Sequence, residues 1–492
     1  MTLQFPAPVT LRDHYDIVVI GGGINGTAVA RAAAGRGLHT LLCQAQDLAT
    51  GYSSDCPYFL SGNLTNLRKF RLGKLAKSYR QLEKLEDLAP HLMHPCQAIE
   101  SHPKHWLWPL LDPIYKLWRH APAKMEVSPG LLPSKNLQRV VPGYRVMDFR
   151  FTLANATQAQ ELGAHIATHH QLLSGHRDQG LWQLSIQTNQ GFATTKMVTC
   201  PILINATGPF VQQVLNSHLQ SETRAGVKLQ RMTHLVLANR LQLNNAIFYN
   251  QAGGQRLALV PINERWLHFG PLINDSSGEL NSADIESDRE TLLQILKELS
   301  GHSFLEGEIA QCRCGLRAIS DDGTSEDLSD LVLDLDCPDG QSPLVNMLGG
   351  DLLHHRINAT QTLRLLQPYL PKHAHALGPI LPLPGGDITS PQHLAVELAK
   401  SYPHLPTELL TRLQETYGEA AFEILGQAKS VADLGLNFGH HLHEAEVAYL
   451  VEREWATTAA DILERRTGLS WDFTAAEAQA LADYLEQQRQ QV

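Results

Sequence analysis

The sequence predicts an α/β fold: a parallel sheet wound with helices, an antiparallel β-sheet domain beside it, and a helical domain at the C-terminus. Three observations predict it. Tyr15-Asp-Ile-Val-Val-Ile20 is a short β-branched run of the kind that fills a buried parallel strand, and it runs directly into Gly21-Gly22-Gly23-Ile24-Asn25-Gly26. Residues from about 225 to 335 carry repeated strand-like runs. After Leu383-Pro384-Gly385-Gly386 the character changes, and residues 390–492 are rich in Leu, Ala and Glu at helical spacing.

Composition bounds the classes within that fold. A chain of 492 residues with 43% hydrophobic and 18% charged residues is globular and too apolar to be disordered. Forty Lys plus Arg against fifty Asp plus Glu give a net charge of −10, which argues against general nucleic-acid binding. No run of about 18 apolar residues occurs, and the N-terminus lacks the basic-then-apolar pattern of a secretory signal. The seven cysteines are scattered without a paired CxxC, which reads as reduced thiols in a cytoplasmic compartment. His440, His441 and His443 have no carboxylate or cysteine partner at ligand spacing, so no metal site is expected.

The first strand leads into an alanine-rich helical stretch, Thr27–Arg36, closed by Gly35-Arg36-Gly37, and then into a second apolar strand, Thr40-Leu41-Leu42-Cys43. This is a βαβ unit with GxGxxG at its first turn, the context in which that motif signals dinucleotide binding. Gly21 permits the tight turn, Gly23 lets the backbone approach a pyrophosphate, and Gly26 lets helix and strand pack closely, while the helix N-terminus offers N–H donors to the anion. A degenerate turn that keeps its glycines for packing alone would look the same. One residue of the fingerprint is missing: the second strand should end in an acid that accepts the ribose hydroxyls, and it ends in Gln44, with Asp47 three residues on. Glutamine keeps one carbonyl acceptor without charge assistance, which predicts weakened binding.

Further elements follow in order. Residues 75–89 read as a helix with Leu75, Tyr79 and Leu82 on one face, and residues 152–162 as another. Ala164–His169, Leu181–Gln187 and Pro201–Asn205 read as strands, the last running into Ala206-Thr207-Gly208-Pro209. Thr233–Leu237, Arg256–Val260 and Trp266–Phe269 suit an antiparallel sheet that roofs a ligand.

The residues converge on a family. VVIGGGINGTAVARAAAGRGL, the downstream QDLA, NATGPF before position 211, LPGGDI at 383–388, DLGLNFG at 433–439, HEAEVAYLVEREWA at 443–456 and ERRTGL at 464–469 together resemble the FAD-dependent glycerol-3-phosphate dehydrogenases of the aerobic type, over nearly the whole chain. The resemblance implies a Rossmann-like FAD-binding domain of the two-dinucleotide-binding type, assembled from 1–75, 151–220 and 331–378. It adds a cap or substrate segment at 76–150, a substrate-binding β-sheet domain at 221–330 and a helical domain at 379–492. It also implies oxidation of sn-glycerol 3-phosphate, a phosphorylated polyol, to dihydroxyacetone phosphate. Electrons would pass to a quinone-type, non-nicotinamide acceptor, in a cytoplasmic enzyme peripheral on the inner membrane, with a homodimer left open.

Carried over by position, the flavin site takes in Gly21, Gly23, Asn25 and Gly26 at the pyrophosphate, Gln44 at the ribose, Ser53 and Ser54 near the flavin, Thr207 and Gly208 at a second turn, and Gly349 and Gly350 facing the isoalloxazine ring. A loop turn accounts equally for the last pair, and a helix cap for the serines. Arg317 and Arg356 match arginines of the substrate site. There the chain also departs from the pattern: Asp351 stands where the family has a lysine, Leu353-His354-His355 replaces Thr-Thr-Tyr, Ser61-Gly62-Asn63 replaces His-Gly-Gly, and Tyr58 replaces a further lysine. A second family arginine falls near Ser329, and Gly270-Pro271-Leu272-Ile273 replaces Gly-Thr-Thr-Asp. Exchanging a cation for Asp351 turns attraction for a phosphate into repulsion, which predicts feeble turnover, altered specificity, or a degenerate flavin- or metabolite-binding protein. His354 and His355 offer a replacement base, or are an ordinary pair in a chain with 24 histidines.

Two segments bear on partners. Arg68, Lys69, Arg71, Lys74, Lys77 and Arg80 form a basic run, and residues 106–119 bring Leu110, Leu111, Ile114 and Trp118 to one face. Together they suit docking on an anionic membrane; a solvated helix and a buried aromatic segment account for them as well.

Overall fold

The computed structural model describes residues 3–5, 9–51, 57–61, 71–102, 137–189, 193–221, 223, 225–251, 255–321, 330–338, 341–376, 378 and 381–490, with the side chains of 57, 58, 72, 100–102 and 137–139 left aside. Its first sheet has six strands: β1 (Ile17–Ile20), β2 (Thr40–Gln44), β3 (His165–Thr168), β4 (Ile202–Asn205), β5 (Leu331–Asp336) and β6 (Leu344–Gly349), in the order β5-β6-β4-β1-β2-β3. All neighbours run parallel except β5, which is antiparallel to β6.

Burial on both faces explains why β1 is an unbroken apolar run. Ile17 and Val19 face a helical layer formed by α1 (Ile24–Ala34), α2 (Asp148–Glu161) and α3 (His355–Leu365). Val18 and Ile20 face a three-stranded antiparallel sheet, His170–Asp178, Leu181–Thr188 and Thr194–Cys200, through Leu172, Trp182 and Val198. The strand order reverses between β1 and β4, and ligands of such sheets sit in the crevice at the carboxyl ends where that happens. The turns after β1, β4 and β6 all open onto this crevice.

Helix α1 begins three residues earlier than the alanine run indicates, because Gly23 is extended and Thr27 N–H already donates to its carbonyl at 3.0 Å. The motif glycines are therefore the start of the helix, which aims its first N–H groups into the crevice.

The second sheet has eight strands, in the order Ile309–Ser320, Val227–Ala238, Trp266–Ser276, Arg256–Pro261, Ala246–Asn250, His94–His102, Leu137–Met147 and Pro57–Leu60. One pair, Ala246–Asn250 with His94–His102, is parallel and the rest are antiparallel. Two features differ from the strand-rich reading of 225–335. Residues Ser282–Ser300 form a helix, capped by Asn281 and packed on the sheet through Leu292 and Leu296; Leu331–Asp336 joins the first sheet instead. Alternation places Gln230, Met232 and His234 on the face away from that helix, together with Arg317 opposite Gln230.

The C-terminal helices Pro391–Ser401, Thr407–Tyr417, Glu444–Glu454, Ala459–Arg465 and Ala475–Gln490 share a core that also takes in Leu3. Two buried ion systems fasten this region to the first sheet. Arg150 on α2 makes a forked pair with Glu454 at 2.7 and 2.9 Å. Asp47, in the loop after β2, is forked by Arg466 at 2.7 and 2.9 Å and also accepts from Arg465 at 2.8 Å. Burial would lower the Arg466 guanidinium, but Asp47 outweighs it and holds it above its ordinary value. The connection between the regions is close-packed: at positive φ, Gly385 lies against the Tyr417 carbonyl and Gly418 against the Gly385 carbonyl, where any β-carbon would collide.

Candidate active site

A cavity of about 530 Å³ lies over the carboxyl ends of β1, β4 and β6, bounded by the glycine-rich turn, Gln44, Thr207, Gly208, Gly349, Gly350 and Asp351, and by Arg317 of the second sheet. The glycines are there for steric reasons. Gly21 has φ +113° and a β-carbon would strike the Ala206 carbonyl; at Gly26 one would strike the Gly21 carbonyl. Gly349 and Gly350 have φ +77° and +83°, so the pair is a left-handed turn that L side chains rarely adopt. Asn25 latches the two turns together: its Nδ2 donates to Gly349 O at 3.2 Å and its Oδ1 accepts from Asn358 on α3 at 3.2 Å. Gly208 also has positive φ, and Thr207 Oγ1 donates to Asn205 Oδ1 at 2.7 Å. Asn205 in turn donates to Asn346 Oδ1 at 3.1 Å, and Asn346 to Asp334 at 3.2 Å, a buried chain beneath the turn.

Gln44 faces the cavity but its amide is already engaged. Its Oε1 accepts from Gly22 N at 2.8 Å, and its Nε2 donates to Asp47 O at 3.2 Å and Thr50 Oγ1 at 2.9 Å. Asp47, the nearby acid in the sequence, points away and is committed to Arg465 and Arg466. Ser53 and Ser54 lie outside the described residues, as do Gly62, Asn63, Ser329, Arg68, Lys69 and segment 106–119; the Tyr58 side chain is likewise not described.

The four residues selected for chemistry are not brought together. Arg317 lines the cavity, with its guanidinium donating to Gln230 Oε1 at 3.2 and 3.3 Å. Arg356 lies on α3 away from the lining, donating to Gln81 Oε1 at 3.3 Å, and burial lowers its pKa. His355 is fully buried behind the site. Its Nδ1–H donates to Leu352 O at 2.6 Å, and its Nε2 lies 3.3 Å from Asn155 Nδ2. Burial, with Arg31 and Arg356 nearby, pushes its pKa down to about 3, so it is neutral and anchors the start of α3. His354 is different. Its Nδ1 lies 2.7 Å from Asp351 Oδ1, which also accepts from the His354 backbone N–H at 2.9 Å. Asp351 thus caps the turn entering α3 and is paired with an imidazole, so the bare repulsion expected of an isolated carboxylate is softened. The other carboxylate oxygen has no hydrogen bond among the described residues.

Sequence reasoning missed Asp148, a buried acid that lines the cavity at the first position of α2. The acid in a helix's first turn was its signal, obscured because the helix was started at residue 152. It also missed the buried pair His234 and His268, with ring nitrogens 2.9 Å apart on the sheet face that carries Arg317.

The residues present fit a dinucleotide with a flavin: a cradle that excludes β-carbons, a helix N-terminus aimed into it, and a second glycine turn latched beside it by Asn25. Comparison with known proteins agrees. The sequence model of the family described as FAD dependent oxidoreductase matches residues 16–334, and that of the C-terminal domain of alpha-glycerophosphate oxidase matches residues 380–490. Glycerol-3-phosphate dehydrogenase of Pseudomonas aeruginosa is 30% identical over 97% of this chain and 96% of its own. The aerobic glycerol-3-phosphate dehydrogenase of Escherichia coli is 30% identical over 96% of this chain and 98% of its own. The solved glycerol-3-phosphate dehydrogenase of Bacillus halodurans, complexed with FAD, shares the fold with a TM-score of 0.72 at 20% identity, covering 97% of this chain and 95% of that one. Fold, cofactor cradle and full-length likeness place this chain in the FAD-dependent glycerol-3-phosphate dehydrogenase family, an oxidoreductase whose cofactor is FAD.

Proposed function

We propose that the protein oxidises the secondary hydroxyl of a small phosphorylated polyol, with sn-glycerol 3-phosphate as the leading substrate and dihydroxyacetone phosphate as product. The observation that carries this reading is that a cation, Arg317, and a carboxylate, Asp351, line one cavity together with the Gly349–Gly350 turn. Bound FAD supplies the hydride acceptor. Arg317 presents a cation to the anionic end of the substrate, since a guanidinium matches phosphate geometry through paired N–H donors. Asp351 offers its unbonded oxygen to the hydroxyl proton, and His354 holds the carboxylate through its other oxygen. In this reading Arg356 and His355 steady α3 and do not touch substrate.

The electron acceptor is read as a quinone, which places the protein at the cytoplasmic face of the inner membrane as a peripheral protein. The helix Leu72–Leu88 supplies Lys77 and Arg80 for an anionic surface, while Lys74 is taken up by Asp330 at 2.9 Å. No helix among the described residues is long and apolar enough to cross a membrane.

Dye-linked oxidation of glycerol 3-phosphate by the FAD-loaded protein tests the assignment. Turnover that falls about a hundred- to a thousand-fold in Arg317→Ala, with FAD content unchanged, is the expected result. Wild-type protein that leaves its flavin oxidised with glycerol 3-phosphate, yet is bleached by an amine or an uncharged polyol, would instead favour the second reading. In that reading Asp351 selects a less anionic or a cationic substrate.

A further inference from the structure

Asp47 belongs to the QDLA segment and Arg465 and Arg466 to the ERRTGL segment, so the ion cluster joins motifs at opposite ends of the chain. Nothing in the chemistry of substrate oxidation requires that cluster, yet its Asp47, Arg466 and Asp461 are buried and elaborately held. Arg466 donates to Glu454 O at 2.9 and 2.7 Å besides forking Asp47, and Arg465 reaches across to Asp461 at 2.5 Å. Asp461 is fixed by the Thr457 and Thr458 N–H groups, both at 2.8 Å.

On its other side, Asp47 leads to the cofactor cradle in two steps. Its carbonyl accepts from Gln44 Nε2 and from Thr50 Oγ1, and Gln44 Oε1 holds the Gly22 N–H. Ala49, at φ +58°, donates its N–H to Gly22 O at 3.1 Å. Gly22 is thus gripped at both backbone groups by a loop whose only buried charge is pinned by the C-terminal region. Gln44, Thr50 and Gly51 of that loop border the cavity beside the glycine turn.

We propose that the C-terminal helical region sets the affinity for FAD, with Arg465 and Arg466 acting as positioning residues that hold the 44–51 loop against the glycine-rich turn. Gln44 is then a strut of this device, the role it has in place of the missing ribose carboxylate. Because coupling between two binding events is reciprocal, FAD must in turn tighten the docking of the C-terminal helices.

The test measures FAD affinity of the full-length protein stripped of flavin, by quenching of flavin fluorescence, which is independent of any substrate. Arg466→Met is expected to raise the FAD Kd by about tenfold or more, within the range typical of coupled sites. Asp472→Asn, which weakens the attachment of the same region to Trp266 and Arg265 without touching Asp47, Arg465 or Arg466, is expected to stay within about twofold of wild type. Since losing Arg466 leaves Asp47 buried beside a single arginine, Arg465→Gln serves as a milder variant that removes one donor to Asp47 outside the cavity, and Thr50→Val loosens Gln44 from within the loop. Limited proteolysis of the C-terminal region should be slowed by FAD in wild type and not in these variants. Folded Arg465→Gln and Thr50→Val proteins with wild-type FAD affinity, or equal weakening by Asp472→Asn, would overturn the proposal. Loss of FAD affinity stands whether or not glycerol 3-phosphate proves to be the substrate.

Discussion

On one wall of the cavity, Gly21 and Gly26 leave no room for a β-carbon and the backbone itself forms the surface; on another, the Asp351 side chain forms it, held by His354, which is not part of the lining. The first wall is over-determined. A ligand that fits it meets N–H groups fixed by the helix, and a change of residue breaks the fold before it retunes the chemistry. The second wall is adjustable, because position 351 is held by contacts of its side chain and not by a backbone that excludes a β-carbon.

The comparison breaks most sharply at Gly26. Gly26→Val drives a branched side chain into the Gly21 carbonyl, and the expected outcome is loss of bound FAD together with a large drop in thermal stability, about 3 kcal/mol or more. Flavin absorbance per mole of protein after desalting, beside a melting curve, reads both. A yellow, stable Gly26→Val protein would show that the turn is adjustable after all.

At the opposite wall Asp351→Asn separates two roles of one side chain. The amide oxygen still caps the His354 N–H, so the fold is expected to survive, whereas the proton acceptor is gone and kcat should fall about a hundredfold at constant FAD content. Unchanged kcat would reduce Asp351 to a cap and make this wall as purely structural as the other.

Acid stability sharpens the contrast between the two neighbouring histidines. His355, with a folded-state pKa of about 3 against an ordinary 6.5, binds its proton in the unfolded chain first. Its contribution to stability is complete above the ordinary value and is lost as pH falls from there towards 3. His91, also near 3, and His234, near 4, act in the same direction. Denaturant melts between pH 6.5 and 4 should show stability falling, and His355→Gln should flatten that slope by up to about 1.4 kcal/mol per pH unit. An identical slope in the variant would mean that His355 titrates normally.

Gln44→Glu is expected to have the smallest effect, a change in FAD Kd of less than about fivefold. The carboxylate gains a charge-assisted acceptor for the ribose but gives up both donors, to Asp47 O and Thr50 Oγ1. A shift of a hundredfold in either direction would show that the strut and the ribose contact are not in balance.

How far each wall was legible in the sequence follows from the same distinction. The glycine turn announces itself because its constraint is local: a strand, a tight turn and a helix within twenty-odd residues leave few alternatives. The second sheet was read as a strand-rich stretch. The helix Ser282–Ser300 inside it was passed over although Asn281 and the Leu292–Leu296 spacing mark it, because the neighbouring strand runs dominated the window. The roles of the histidines were out of reach. His355 is neutral because it is buried, beside Asn155, and His354 sits 3.4 Å from Ser78, partners 200 and 276 residues away. Asp47 likewise looked like a spare acid for the ribose until its partner proved to lie 419 residues further on.

The crossing of Gly385 and Gly418 has a consequence for how such a chain can be cut and recombined. A Pro-Gly-Gly stretch between two differently composed regions has the look of a tether, the natural place to splice one oxidoreductase onto another's tail or to insert a tag. Here it is a weld: carbonyls at Tyr417 and Gly385 occupy the space that any side chain would need, and the Glu419 N–H closes the crossing on Gly385 O at 3.0 Å. Chimeras joined at this point must carry both glycines and the 417–419 corner as one inherited piece, so the unit of exchange between relatives runs across the apparent boundary instead of ending at it.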